Sequence, residues 1–194
     1  MIPRHVSIAV ALLMVVVFLT GFYVLQLKQK AEQAAQRTDT RPVAPPAAGP
    51  EEPVTLTIAY DDDAVFRRRQ VSVPLPPERT ERAREVLRAL LAEYTQKPSP
   101  HPLADGADIR EVFLVDDLAI VDLNPIVADS HRSGAFVETL TVTSLVETLS
   151  QNVPGIRRVR FLVDGKERET LAGHADLMAT YDVKQVDELV RGLQ

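Results

Sequence analysis

The pattern of apolar and polar positions predicts two strands and a helix at the start of the folded part of the chain. Residues 54–60 alternate between the two kinds, which is typical of a β-strand, and three aspartates at 61–63 end it. A second short strand is predicted over residues 70–75, where prolines close it. Apolar residues then recur at helical spacing over residues 79–94, which indicates an amphipathic helix.

The second half of the folded part is also predicted to begin with two strands followed by a helix. Two apolar runs, residues 109–115 and 118–123, flank a pair of aspartates and predict a β-hairpin. A helix is expected over residues 135–150, followed by a strand over residues 157–163 that turns at an Asp-Gly pair. The order β-β-α-β-β-α-β favours an α+β fold, a small two-layer domain with a mixed β-sheet and helices on one face.

The end of the chain has helical spacing as well. Valines and leucines over residues 181–194 predict a C-terminal amphipathic helix, which either packs on the domain or presents its apolar face to a partner. The main domain is therefore predicted over residues 54–180.

The N-terminal segments predict a membrane anchor and a tether. Residues 6–25 contain no charged side chain and are long enough to cross a bilayer of about 30 Å as a helix, so we expect an uncleaved signal anchor. Residues 26–53, rich in Ala, Gln and Pro, predict a linker. Basic residues flank both ends of the span. Because large domains translocate largely regardless of nearby charge, we expect residues 1–5 in the cytoplasm and the domain outside it.

Composition excludes several kinds of protein. The net charge of −5 argues against nucleic acid as the principal ligand, because that ligand requires clustered positive charge. The chain has no cysteine, which excludes disulfides, thiolate metal sites and an acylated lipoprotein cysteine. Nothing in the sequence indicates a cofactor.

Several local motifs resemble the GerMN domain, a module of bacterial spore-germination and sporulation proteins. The similarity covers residues 60–176. The motifs are Ala-Ile-Val-Asp-Leu at 119–123, Val-Glu-Thr-Leu at 146–149, Val-Arg-Phe-Leu-Val-Asp-Gly at 159–165 and Leu-Ala-Gly-His at 171–174. The Gly-Pro pair that usually follows the first helix of the family is missing from residues 92–98.

The resemblance implies a membrane-tethered envelope domain with no known enzymatic chemistry and a core similar to ring-building modules. It also singles out six motif residues, which we expect to be structural: Asp122, Thr148, Asp164, Gly165, Gly173 and His174. In the family pattern, the Gly-His pair closes the last hairpin.

Several side chains are of types that can carry out catalysis or bind a metal. His174 could act as an acid-base group with nearby carboxylates in a cell-wall hydrolase, whereas a serine hydrolase would need Ser144 or Ser150 to meet it as nucleophile. No nucleophile-elbow motif supports that site, so we expect no catalytic residue. His101 and His131 lie in separate predicted loops with no second ligand at metal-binding spacing, so we expect no zinc site.

Charged clusters suggest further alternatives. The aspartates at 61–63 could bind calcium, but a solvated loop is the simpler interpretation, and no metal site is expected. Arg158 and Arg160 have the same strand parity, so they should share one face and could contact a partner.

Together these observations predict a single-pass protein of the bacterial envelope whose domain is a non-catalytic interaction or assembly module. The expected partner is another envelope protein or a second copy. Passive binding of peptidoglycan or lipid remains an alternative to this and to the hydrolase.

Overall fold

The computed structural model describes residues 49–194, which contain six strands and four helices. In chain order they are β1 (Glu51–Tyr60), β2 (Val65–Pro74), α1 (Arg79–Thr95), β3 (Ile109–Val115), β4 (Leu118–Leu123), α2 (Pro125–Asp129), α3 (Ala135–Asn152), β5 (Arg158–Val163), β6 (Tyr181–Asp182) and α4 (Val183–Gly192). The predicted α+β class is confirmed.

The strands are divided between two sheets. Strands β1 and β2 form an antiparallel hairpin of their own, and the other sheet has the order β3-β4-β5-β6. The second sheet is mixed, because β4 and β5 are parallel whereas the other pairs are antiparallel. The predicted mixed sheet is therefore present, but the first two strands form a sheet of their own instead of joining it. Helix α1 packs against both β3 and the hairpin.

Side chains, rather than a neighbouring strand, occupy the second edge of β1, and this explains why the hairpin stands apart. Three backbone N–H groups on that edge each donate to a helix side chain. The pairs are Thr55 N to Asn152 Oδ1 (3.0 Å), Thr57 N to Thr148 Oγ1 (3.0 Å) and Ala59 N to Tyr94 Oη (2.9 Å). Since these three donors are satisfied, β1 has no free N–H group to donate to another strand at these positions.

Helix α1 follows its predicted bounds closely. Glu78 caps its N-terminus, accepting a hydrogen bond from the Glu81 N–H at 2.7 Å. All six residues of the predicted apolar stripe are buried: Ala83, Val86, Leu87, Leu90, Leu91 and Tyr94. Arg84 and Glu85, which lie outside this apolar stripe, are also buried, and Arg84 pairs with both Glu85 and Glu111 of β3.

Helix α3 is enclosed along most of its length. Every residue from 140 to 149 is buried, and the helix contacts α1, α4 and the hairpin. A helix that is buried all round marks the centre of a core rather than its edge.

Helix α4 packs on the domain. Val186 and Val190 are buried, and the Phe66 N–H of β2 donates to the Leu193 carbonyl at 2.8 Å. Of the two alternatives left open for the C-terminal segment, the structure therefore shows packing.

The N-terminal predictions fall mostly outside the described residues. Strand β1 begins at Glu51, three residues inside the predicted linker. None of the helices within residues 49–194 has both the length and the apolar character needed to span a bilayer. The predicted anchor at residues 6–25 lies outside this range.

Candidate interaction surface

The mixed sheet has one buried face and one open face. Because side chains alternate along a strand, the residues of β3, β4 and β5 divide into two sets. The inner set is buried and consists of Val112, Ala119, Val121, Leu123, Val159, Phe161 and Val163. The outer set consists of Phe113, Val115, Leu118, Ile120, Arg158, Arg160 and Leu162, and we call it the outer face.

Apolar side chains are exposed at the β3 end of the outer face. Phe113 is 49% exposed and Val115 is 55% exposed. The strand register places Leu118 beside Val115 and Ile120 beside Phe113, and both of these β4 residues are only partly buried. The outer face therefore carries a contiguous apolar patch of the kind that commonly marks a binding surface.

The two candidate arginines lie at the β5 end of the same face. In the register, Arg158 is next to Leu118 and Arg160 is next to Ile120. Arg158 Nη2 lies 2.6 Å from Asp117 Oδ1, and Arg160 pairs with Glu167. The hydrogen bond from Arg158 is the main cause that lowers the pKa of Asp117. Each arginine thus has a local counter-charge, and the patch is bordered by paired charges.

Three of the family-motif residues hold a turn in place. The Asp164 and Gly165 backbones have positive φ (56° and 69°), as a tight Asp-Gly hairpin turn requires. Asp122 Oδ1 accepts a hydrogen bond from the Gly165 N–H at 2.8 Å, and Arg110 pairs with Asp164. The Asp164 N–H donates to Leu123 at 3.0 Å. Asp122 therefore fixes the β5 turn against the end of β4.

Gly173 and His174 belong to a loop built around a buried carboxylate, Glu138. Its side chain is fully buried and accepts four backbone N–H bonds of 2.9 to 3.1 Å, from Gly134, Ala172, His174 and Ala175. His174 Nδ1 lies 2.9 Å from Glu138 Oε1.

These contacts decide the charge state of Glu138. Burial raises the pKa of the carboxyl, but the backbone N–H groups and His174 outweigh it and lower the pKa to about 2. No sequence motif singles out Glu138, although the helical pattern contains one signal of its burial. It lies four and seven residues before Val142 and Leu145, on the apolar stripe of the helix.

The serines that a hydrolase would need are bonded elsewhere. The Ser144 hydroxyl donates to the Thr141 carbonyl at 2.9 Å, and the Ser150 hydroxyl donates to the Glu147 carbonyl at 3.0 Å. His174 is bonded to Glu138 instead. Neither serine is hydrogen-bonded to His174, as a serine hydrolase would require.

A second set of buried polar side chains brings together His101 and His131, which the sequence places in separate loops. His101 Nδ1 lies 2.5 Å from Asp61 Oδ1, and its Nε2 lies 2.6 Å from Thr141 Oγ1. His131 Nε2 lies 2.7 Å from the same hydroxyl. Arg132 also pairs with Asp61. We call Asp61, His101, Thr141 and His131 the histidine cluster.

The histidine cluster corrects part of the loop prediction. Asp62 and Asp63 are exposed as expected, but Asp61 is largely buried and paired. Within residues 49–194, no group of three or more His, Cys, Asp or Glu side chains is arranged to hold a metal ion. No sequence spacing could have revealed the cluster, because its members come from four separate segments.

Comparison with known proteins identifies the family. Residues 54–169, more than half of the chain, match the model of the Germane family, described as "Sporulation and spore germination". The chain belongs to this family, which confirms the GerMN-type assignment made from the motifs. Comparison with curated proteins gives no significant match.

Solved structures with similar folds include GerMN domains. The tandem GerMN domains of the sporulation protein GerM from Bacillus subtilis match with a TM-score of 0.50 at 17% identity, over 69% of this chain and 47% of that one. The first GerMN domain of the same protein gives 0.46 at 16% identity, over 66% and 94%. A Clostridium perfringens protein described as a candidate lipoprotein gives 0.48 at 19% identity, over 73% and 92%. At these identities, the likeness to the tandem domains concerns the fold alone.

Proposed function

We propose that this chain is a single-pass protein of the bacterial cell envelope whose GerMN-type domain binds another protein through the outer face and performs no catalysis. The observation that carries the proposal is the exposed apolar patch of Phe113, Val115, Leu118 and Ile120, bordered by Arg158 and Arg160. An apolar centre with a polar rim is the usual anatomy of a protein-protein interface.

The charge of the outer face favours a protein as the occupant. Asp117 and Glu167 already neutralise Arg158 and Arg160. A nucleic acid or an anionic membrane surface would be attracted by unpaired positive charge, which this rim lacks. An apolar patch on a partner protein requires no such charge. Its binding is favoured because Phe113 and Val115 are removed from water.

The proposed surface is tested with a matched pair of phenylalanines. Phe113 on the outer face and Phe136 on α3 are similarly exposed, at 49% and 46%. A photo-crosslinking residue replacing Val115 in the full-length chain should give a discrete adduct in cells. Phe113→Glu should reduce that adduct at least tenfold, because a central apolar contact is lost and a charge is buried. Phe136→Glu should leave it unchanged.

The mass of the adduct identifies the partner class. An adduct of twice 21.5 kDa means a second copy of the chain, and any other discrete mass means a different protein. Equal loss in both phenylalanine variants, or no adduct at all, contradicts the proposed surface. Unchanged melting temperatures of both variants serve as the folding control.

The predicted anchor makes a separate prediction about location. The full-length chain should stay in the membrane pellet after alkaline carbonate extraction, and protease added to spheroplasts should degrade the domain. Replacing Leu13 and Val16 with arginine should release the chain, since each charge at the centre of a span costs about 3 kcal/mol. A chain that remains soluble without these changes, or resists external protease in intact spheroplasts, contradicts the anchor or its orientation.

A further inference from the structure

The histidine cluster forms an unbroken line of four hydrogen bonds. It runs from the Asp61 carboxylate to His101 (2.5 Å), to the Thr141 hydroxyl (2.6 Å), to His131 (2.7 Å) and to the Arg132 backbone carbonyl (2.7 Å). His101 and Thr141 are fully buried, and His131 is almost so. When the Asp61 carboxylate is ionised, the groups at both ends of the line can accept hydrogen bonds but cannot donate them.

The line needs more hydrogen atoms than its neutral side chains possess. Four hydrogen bonds require four bonded hydrogens, one for each contact. A neutral imidazole has one ring N–H and a hydroxyl has one O–H, so His101, His131 and Thr141 supply three. If a neutral ring faced an acceptor with its bare nitrogen, two lone pairs would meet inside the core. The complete line therefore holds one proton beyond the neutral count.

The alternative contact of Thr141 does not remove the deficit. Its hydroxyl also lies 3.1 Å from the Val137 carbonyl. If the hydroxyl donated there, both imidazoles would have to donate to Thr141 as well as to their outer partners, and two extra protons would be needed. One surplus proton is thus the minimum.

The charge states of the neighbouring groups determine which members of the line donate. Burial raises the pKa of Asp61, but the hydrogen bond from His101 and the charges of His101 and Arg132 lower it overall, so the carboxyl stays ionised. Burial is the main cause that lowers the pKa of His131, which keeps that ring neutral. Then His101 donates from both nitrogens, Thr141 donates to His131, and His131 donates to the Arg132 carbonyl.

We propose that the histidine cluster is a proton-dependent latch that fastens three surface segments to α3. The segments are the β1–β2 turn through Asp61, the loop after α1 through His101, and the loop before α3 through His131 and Arg132. Loss of the surplus proton as the pH rises breaks one bond of the line and loosens these segments. The other titratable groups facing the line are Tyr94 of α1 and Glu138 of α3.

The sign of the pH dependence follows from the proton count. Above about pH 6.5, an unfolded chain carries neutral histidines, while the folded cluster still holds one proton. The folded state then binds more protons, so the unfolding equilibrium constant rises up to tenfold per pH unit. Below about pH 6.5, the unfolded chain protonates its histidines, whereas the buried His131 stays neutral in the folded state. The unfolded state then binds more protons, so stability rises with pH in this range. Stability should therefore peak near the ordinary pKa of histidine.

Nitrogen NMR of the full-length chain, labelled with ¹⁵N-histidine, tests the proton count directly. The chain has only four histidines, and His101→Gln and His131→Gln variants assign the two buried rings. At pH 7 we expect one ring protonated at both nitrogens and the other neutral with hydrogen on Nδ1. Two neutral rings in the folded protein at pH 7 would overturn the proposal.

The Asp61→Asn variant supplies the hydrogen atom that the neutral side chains of the line lack. The new amide can donate to His101 Nδ1, so four hydrogens are then available with every group neutral. The fall in stability above pH 6.5 should vanish in this variant, whereas Asp62→Asn, at the exposed neighbouring position, should keep it. Parallel pH profiles for Asp61→Asn and the unmodified chain in chemical unfolding would contradict the latch.

Discussion

Replacing Glu138 with alanine should lower the free energy of unfolding by about 4 kcal/mol, the largest loss we expect from any single polar substitution in this domain. The carboxylate is fully buried and accepts hydrogen bonds from four backbone N–H groups and from His174. Alanine would leave these donors without their acceptor. Chemical unfolding of the full-length chain monitored by circular dichroism measures the loss.

Two control variants define what the loss at Glu138 means. His174→Ala removes one of the five donors and leaves the carboxylate, so it should cost only about 1 kcal/mol. Glu188→Ala, at an exposed position of α4, should be nearly neutral. A cost at Glu138 no larger than that at Glu188 would show that the carboxylate does not organise the loop.

The ionisation of Glu138 also makes the stability of the domain depend on pH in acid. The pKa of Glu138 is lowered from 4.5 to about 2, so the folded state keeps it ionised where the unfolded chain takes up a proton. Its stabilisation is complete above pH 4.5 and is lost as the pH falls toward 2, a change of about 3 kcal/mol. Glu138→Gln should remove this part of the acid-induced loss.

The second large effect is expected at Asn152, whose side chain closes the edge of β1. Asn152 accepts from the Thr55 N–H at 3.0 Å and donates to the Thr55 carbonyl at 2.8 Å. Asn152→Ala should lower the free energy of unfolding by about 2 kcal/mol, because both backbone groups lose their partner in a partly buried setting. Hydrogen exchange of the Thr55 amide should accelerate in the variant.

Thr139→Ala serves as the control for Asn152. The Thr139 hydroxyl is exposed and bonds only within α3, to the Ala135 carbonyl at 2.7 Å. Its loss should change stability by less than 0.5 kcal/mol. If Asn152→Ala were equally mild and left Thr55 exchange unaltered, the edge of β1 would not depend on this side chain.

Elements with strong local patterns could be predicted from the sequence. The hairpin strands β3 and β4 occur at the predicted positions 109–115 and 118–123, because alternation and a turn-prone pair specify them locally. Strand β2 begins five residues before its predicted start. The part that was not predicted contains Arg67, Arg68 and Arg69. Their backbones pair with β1, and each side chain pairs with an acidic residue.

The candidate sites could be predicted less completely from the sequence, because their chemistry depends on contacts between segments that are distant in the chain. Parity alone placed Arg158 and Arg160 on one face, but whether that face is open depends on which side the helices cover. The partners Asp61 and His101 are 40 residues apart in the chain, as are His101 and Thr141. Such pairs leave no periodic trace, and only the folded backbone brings them together.

The way β1 is held has a mechanical consequence. Strand β1 is paired with β2 on one edge and bonded to Asn152, Thr148 and Tyr94 on the other, so both edges resist a pull directed along the strand. Tension is therefore shared by two rows of bonds lying side by side instead of opening one row from its end. The first strand of the domain is built to bear load where the chain enters the fold.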